Sequence, residues 1–303
     1  MGYAECASQL GSVYPNWSRR RRVLEMCELK RTALIYDFDG TLARGNLQEA
    51  SFIASINMSK EEFWAKVKAR TRVHDVDEVL VYMRLMLEKA QESNVKVTID
   101  ELRRHGKKAQ LFPGLADGSW FERINQHAAE HGLALEHYIV SSGIQEMIEG
   151  CAIRGAFRQV FASKFIYVDN VAVWPGVGIN YTTKTQYLFR INKGIENHWD
   201  NASLNSFMPE DARPIPFDRM IFLGDGDTDV PTMEMLTYNG GHSIGVYDRN
   251  RHSRDLTKIH RLISDDRVDF VAPADYEEKS ELDIIMKGIL GRIARQYGYK
   301  PAV

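Results

Sequence analysis

Short apolar runs alternate with stretches of helical periodicity along most of the chain. Ala33-Leu34-Ile35-Tyr36 is one such run, and it ends abruptly in Asp37-Phe38-Asp39-Gly40-Thr41-Leu42. His137-Tyr138-Ile139-Val140 closes on Ser141-Ser142-Gly143, and Met220-Ile221-Phe222-Leu223 closes on Gly224-Asp225-Gly226-Asp227-Thr228-Asp229. Gln159 to Ala162, Ser243 to Val246 and Val268 to Val271 are further apolar runs of strand length. Helices are expected from Ser119 to His131, from Ile144 to about Arg154, from Lys184 through Ile191, after Pro231, and from Ser280 to about Tyr297. Val168 to Tyr181 reads as a small hairpin with Pro175-Gly176 as its turn, and Ala202 to Pro214 reads as a polar loop. Continuous apolar strands separated by helices predict an α/β fold, a parallel sheet covered on both faces.

One stretch breaks this alternation. From 46 to 110 the apolar residues fall at helical spacing in four segments: Ser51 to Ile56, Lys60 to Ala69, Val76 to Ala90 and Ile99 to Ala109. Ser59 followed by Glu61 and Glu62 has the form of a helix start. No strand is expected there, and the alternating pattern resumes at Phe112-Pro113-Gly114. The chain therefore divides into a leader (1–30), a core (31–45 and 111–303) and a helical insertion (46–110). The leader carries the basic run Arg19 to Arg22 ahead of a helix-like stretch from Val23 to Leu29, read as a solvated face.

The strand ends carry the chemistry. In parallel sheets ligands sit beyond the carboxyl ends of the strands. Three of those ends hold reactive or anion-binding residues: Asp37 and Asp39, Ser141, and Asp225 to Asp229. Asp37 and Asp39, two residues apart where a strand gives way to a loop, can converge on one point. Such a pair needs a bound cation or a shared proton to offset its repulsion; an aspartate-rich turn is the bland alternative. Carboxylates with few histidines favour a hard cation, Mg²⁺ over Zn²⁺. Ser141, Ser142 and the amides near Gly143 can donate to an anion, and Lys184 can bring positive charge to a phosphoryl group. The parts fit phosphoryl transfer.

Composition narrows the field without choosing a reaction. The chain has 303 residues, 44% hydrophobic and 26% charged, ample for a core. A formal net charge of −2 argues against general affinity for nucleic acid or acidic membranes, and no apolar run is long enough to span a bilayer. No secretory signal is expected, and Cys6, Cys27 and Cys151 read as reduced cytoplasmic thiols.

Asp37-Phe38-Asp39-Gly40-Thr41-Leu42 resembles the first motif of the haloacid dehalogenase (HAD) superfamily. Ser141 after its apolar strand resembles the second motif, Lys184 the third, and Gly224 to Asp229 the fourth. The resemblance covers the chain from about residue 31 to the end. It implies a Rossmann-like parallel sheet core with an inserted α-helical cap domain, the layout of phosphoserine-phosphatase-type enzymes. It implies Asp37 as nucleophile and Mg²⁺ ligand, with Asp39 as general acid/base that also offers its backbone carbonyl to the metal. Thr41 would position the loop, and Ser141 and Lys184 would hold the phosphoryl group. Asp225 would ligate Mg²⁺, and Asp229 would support the metal shell or Lys184. The role of Asp227 is open. Lys193 is the rival for the third motif, with Lys164 more distant.

An aspartate at the second acid position is the phosphatase and phosphomutase pattern of that superfamily. The expected activity is a Mg²⁺-dependent phosphatase acting on a small phosphorylated metabolite through a phosphoaspartate. A phosphotransferase or phosphomutase using the same intermediate is the near rival. A non-catalytic phosphate-binding protein of the same fold is the rival from another class. In the insertion Glu49, Arg70, Arg72 and His74 are candidate substrate contacts, each with a solvated-helix alternative. Trp64, Tyr82 and Met83 read as packing within the cap.

Overall fold

A computed structural model describes residues 29–226, 228–250 and 253–299. The leader's basic run, its helix-like stretch up to residue 28, and Asp227 lie outside the described residues.

Seven strands form one sheet: β1 (Lys30–Tyr36), β2 (Leu133–Ile144), β3 (Gln159–Val168), β4 (Val171–Val177), β5 (Met220–Gly224), β6 (His242–Tyr247) and β7 (Phe270–Pro273). Their order is β4-β3-β2-β1-β5-β6-β7, and every pairing is parallel except that of β4 with β3. β1 is central and apolar because both of its faces are covered. Leu34 and Tyr36 join one buried cluster, and Ala33 and Ile35 join the other. On β5, Ile221 and Leu223 face the first cluster, Met220 and Phe222 the second. This is the α/β, Rossmann-like core expected from the strand pattern.

The helices of the 46–110 stretch are α1 (Phe52–Ser55), α2 (Lys60–His74), α3 (Glu78–Glu92) and α4 (Ile99–Gly106). Ser59, Asp77 and Thr98 each accept a backbone N–H three residues on, which starts the last three of these helices. Phe52, Phe63, Tyr82 and Leu102 belong to the same buried cluster as Tyr36 and Leu223, so these helices share apolar core with the sheet.

The remaining helices are α5 (Ser119–Glu130), α6 (Gln145–Glu149), α7 (Thr183–Lys193), α8 (Asn201–Asn205), α9 (Val230–Tyr238), α10 (Ser253–Ser264) and α11 (Glu281–Gln296). Pro231 sits in the first turn of α9, where its missing N–H costs nothing, and Ser280 caps α11. α4 and α6 meet backbone to backbone. A Cβ at Gly106 would lie 1.8 Å from the Met147 carbonyl oxygen, and one at Gly150 would lie 2.0 Å from that of Arg103.

Several elements differ from the sequence expectation. β2 continues through Ser141-Ser142-Gly143 to Ile144, so those residues form a bulge within a strand. Ser141 pairs with Ala162 and Ile144 with Ser163, leaving Ser142 and Gly143 outside the ladder. The helix expected to run to Arg154 stops at Glu149, because Gly150 is pressed against α4; a separate 3-10 turn covers Arg154–Ala156. β3 runs on to Val168, and the hairpin turns at Asp169-Asn170, both at positive φ (50° and 63°). Pro175 and Gly176 lie within β4, an edge strand that tolerates a missing donor. β7 begins at Phe270, two residues after the expected start, and the polar loop after α7 contains α8.

Candidate active site

The register of the central strands builds the site. Tyr36 pairs with Ile139 on one side and with Leu223 on the other. Asp37, the β2 bulge and the loop after Gly224 therefore emerge at one level, where the strand order reverses across β1. The Asp37 N–H donates to the Leu223 carbonyl at 2.9 Å, which holds the first residue after β1 against β5.

Asp37 is buried. Its Oδ1 accepts the Phe38 N–H at 2.7 Å, and its Oδ2 lies 3.1 Å from the Lys184 ammonium. Lys184 is fully buried and also donates to Asp229 Oδ1 at 2.7 Å. The two carboxylates raise the ammonium above its ordinary value despite burial, which keeps the cation charged. Asp229 is lifted to about 6, by burial above all, with Lys184 opposing. Its Oδ2 accepts the Asp225 N–H at 3.1 Å and so fixes the loop that carries Asp225.

Oxygen atoms of Asp37, Asp225 and Asp229 lie within 4.8 Å of one another, an all-oxygen donor set able to hold a hard divalent cation. Two glycines make this approach possible. A Cβ at Gly40, whose φ is +77°, would fall 2.1 Å from Asp225 Oδ2, and one at Gly224 would fall 2.4 Å from Asp229 Oδ2. Asp39 accepts the Leu47 N–H at 2.9 Å. Burial and the neighbouring Asp37 charge push its carboxyl well above the usual carboxylate range. Its other oxygen faces Gly143, where a Cβ would sit 3.1 Å away.

The β2 bulge supplies donors. Ser141 Oγ accepts the Gly143 N–H at 3.1 Å, and the buried Ser142 hydroxyl has no hydrogen-bond partner among the described residues. The Ser142 carbonyl is held by the Tyr82 hydroxyl at 2.6 Å and by Ser163 at 3.1 Å. Thr41 is buried with its hydroxyl unpartnered, while its carbonyl accepts from Tyr276 at 2.8 Å.

The structure thus gathers Asp37, Asp39, Ser141 to Gly143, Lys184, Asp225 and Asp229 around one point, whereas Thr41 follows Gly40 in the same loop with no side-chain contact to them among the described residues. Lys193 donates instead to the Leu204 and Ser206 carbonyls, so it steadies the chain around α8, and Lys164 lies on β3 opposite Val177 of β4.

Above the acids opens a cavity of about 490 Å³. Asp37, Asp39, Ser141 and Asp225 line its floor, and Asn46, Gln48, Glu49, Trp64, Lys68, Glu78, Tyr82, Asn180 and Tyr181 line its walls. Of the four insertion residues singled out from sequence, Glu49 alone lines it. Arg70 pairs with Glu88, and Arg72 and His74 are solvent-exposed. Tyr82 and Met83 belong to the buried cluster and Trp64 packs against it, as expected, and Trp64 and Tyr82 also border the cavity. Helical periodicity marks apolar faces but does not distinguish a packed core from a cavity lining. Among the described residues no helix is long and apolar enough to cross a membrane.

An α/β sheet with acids gathered at its topological switch point defines a class of hydrolase. The family model of haloacid dehalogenase-like hydrolases matches residues 34–234, and the chain belongs to that family. An uncharacterized protein of Borreliella burgdorferi is 28% identical over 278 residues, covering 82% of this chain and 93% of that one. Among solved structures, a HAD family hydrolase of Salmonella enterica serovar Typhi superposes with a TM-score of 0.54 at 15% identity over 92% of this chain and 81% of its own. An apo phosphoserine phosphatase gives a TM-score of 0.53 at 14% identity, over 85% of this chain and 98% of its own. A probable phosphoserine phosphatase from Vibrio cholerae gives 0.54 at 13% identity, over 93% and 76%. At these identities the structural likeness is one of fold.

Proposed function

We propose that the chain is a phosphatase that hydrolyses a small phosphomonoester through a phosphoaspartate on Asp37. One observation carries the reading. The Asp37 carboxylate is pinned by a buried lysine at the floor of a cavity, with a second acid two residues on. Asp37 oxygen attacks phosphorus as the bond to the alcohol oxygen breaks, and Asp39 gives that oxygen its proton. Water then attacks phosphorus, Asp39 takes its proton, and the bond to Asp37 breaks to release phosphate. Lys184, the Ser141 and Ser142 hydroxyls and the bulge amides are the groups that neutralise and orient the phosphoryl oxygens.

Asp37, Asp225 and Asp229 fit Mg²⁺, since they are hard oxygen donors within 4.8 Å of one another, with Gly40 and Gly224 leaving room for Asp225 and Asp229. The Asp39 backbone carbonyl would complete the protein's share. The bound ion would supply positive charge to the phosphoryl group. Residues 46–110 would form the lid that shields the reaction from water.

The test is hydrolysis of an aryl phosphate with Mg²⁺, with EDTA and with Asp37→Asn. Turnover should require both the metal and Asp37. Full turnover by Asp37→Asn would overturn the nucleophile assignment. Phosphate found on an added alcohol in place of free phosphate would make the enzyme a transferase.

A further inference from the structure

The cavity is not symmetrical in charge. Its floor holds Asp37, Asp39, Asp225 and the β2 bulge, with Lys184 buried behind Asp37. The wall facing them is built by the 3-10 turn Leu47–Ala50 and by helices α2 and α3. Glu49, on that turn, stands two residues after Leu47, whose N–H is fastened to Asp39. That hydrogen bond tethers the turn carrying Glu49 to Asp39. Glu49 Oε1 accepts the Trp64 indole N–H and the Asn46 amide, both at 2.7 Å. Both donors are neutral, and among the described residues no cation pairs with Glu49. Its second oxygen accepts from no described residue. Glu78 lines the same cavity and likewise has no ion-pair partner among them. Lys68 is the only cation on this wall, and it is solvent-exposed.

A further feature points the same way. Trp64 and Tyr82 stand with ring centroids 5.8 Å apart at 66°, both on the cavity wall. The Trp64 N–H is fixed by Glu49 and the Tyr82 hydroxyl by the Ser142 carbonyl, so both rings are held in place. Aromatic rings beside a carboxylate that has no cation partner among the described residues form a receptor for a cation, which gains from both the charge and the ring quadrupoles.

We propose that the preferred substrate is the phosphate monoester of an amino alcohol, with its ammonium head seated against Glu49, Trp64 and Tyr82. The proposal rests on the phosphatase reading of the floor and adds the chemistry of the leaving group. It also excludes a class. A substrate that carried a carboxylate beside its ammonium would face Glu49 and Glu78 with only an exposed lysine to receive it. Amino-alcohol phosphates should therefore be preferred to amino-acid phosphates.

Neutral isosteres provide the test. Phosphoethanolamine is compared with propyl phosphate, and phosphocholine with 3,3-dimethylbutyl phosphate. Each pair differs in the charged nitrogen and little in shape. Phosphoserine and an aryl phosphate complete the panel. At least one cationic ester should exceed its neutral isostere in kcat/KM by about tenfold or more, as a desolvated ammonium on a carboxylate and aromatic rings would give. It should also exceed phosphoserine, and Glu49→Gln should collapse the ratio within the pair. Because the ratio is taken within one enzyme, a general loss of activity in the variant does not mimic the result. Equal rates within both pairs, or phosphoserine turned over fastest, would overturn the proposal while leaving the phosphatase reading intact. Failure of the whole panel, the aryl phosphate included, would overturn both.

Discussion

Lowering the pH should destabilise this fold through one histidine beneath the site. His137 on β2 is buried, and its imidazole takes part in a chain of hydrogen bonds. The Trp120 indole donates to the Tyr36 hydroxyl at 2.9 Å, and the Tyr36 oxygen lies 3.1 Å from His137 Nδ1. His137 Nε2 lies 3.0 Å from Asn125 Oδ1. Trp120 can only donate, so the single Tyr36 proton goes to Nδ1, and the histidine proton sits on Nε2 facing the amide oxygen. A second proton on the ring has no acceptor, and burial lowers the pKa to about 3. In the unfolded chain the same group titrates near 6.5. Below that value the unfolded state binds a proton that the native state refuses, so stability falls with pH from about 6.5 down to about 3. At about 1.4 kcal/mol per pH unit, the loss between pH 7 and pH 5 is about 2 kcal/mol. Urea unfolding of wild type and His137→Gln at both pH values isolates the effect. His198, lowered to about 4 chiefly by burial, titrates in both proteins and cancels. The variant should start weaker by about 1–3 kcal/mol, because Tyr36 and Asn125 lose a partner. Its deficit should shrink by about 2 kcal/mol at pH 5. A deficit that is the same at both pH values would refute the assignment.

Three other substitutions test particular contacts. Gly40→Ala places a methyl against the Asp225 carboxylate at a φ of +77°, so activity and Mg²⁺ affinity should both collapse; a metal titration and the aryl phosphate assay read this. Gly106→Ala drives a Cβ into the Met147 carbonyl and should lower stability by about 1–3 kcal/mol in urea unfolding. Asn170→Gly relieves a left-handed residue in the β3–β4 turn and should raise stability by at most about 1 kcal/mol, with activity unchanged.

The strand ends were legible in the sequence because a buried strand leaves a short apolar signature and acids rarely follow one without cause. Asp37, Asp225 and Asp229 could be placed near each other from order alone, since the parallel topology puts all carboxyl ends on one side. The β2 bulge was not legible, because Ser-Ser-Gly has the composition of a loop and only pairing with β3 shows that the strand continues. The hairpin was misplaced by one signal outranking another. Pro-Gly is the stronger punctuation, yet Asp169 and Asn170 adopt the two positive φ values that such a turn requires. Trp64 and Tyr82 were read as packing, and they do pack with the core cluster, but the edge each turns to the cavity was not legible. An aromatic at helical spacing is apolar on either side, and the sequence does not say which side is hollow. Gln48, Asn180 and Tyr181 carried no signal at all, since each touches the cavity through a fold-level juxtaposition.

The glycine contact between α4 and α6 sets a limit on how the proposed lid can open. At Gly106 and Gly150 the two backbones meet with no side chain between them, so there is no soft layer along which α4 could slide. If the lid moves, α4 stays with the sheet as a fixed jamb, and the moving leaf is the hairpin of α2 and α3. Asn57 and Asn94, both at positive φ, bracket that hairpin at the points where the chain would bend. Trp64, Lys68, Glu78 and Tyr82 travel on the leaf, whereas Gln48 and Glu49 remain on the frame beside Asp39. Opening would then split the cation receptor in two, parting the aromatic rings from the carboxylate. The Trp64–Glu49 and Tyr82–Ser142 hydrogen bonds already bridge leaf and frame, so a bound ammonium group would reinforce a latch that the chain itself supplies.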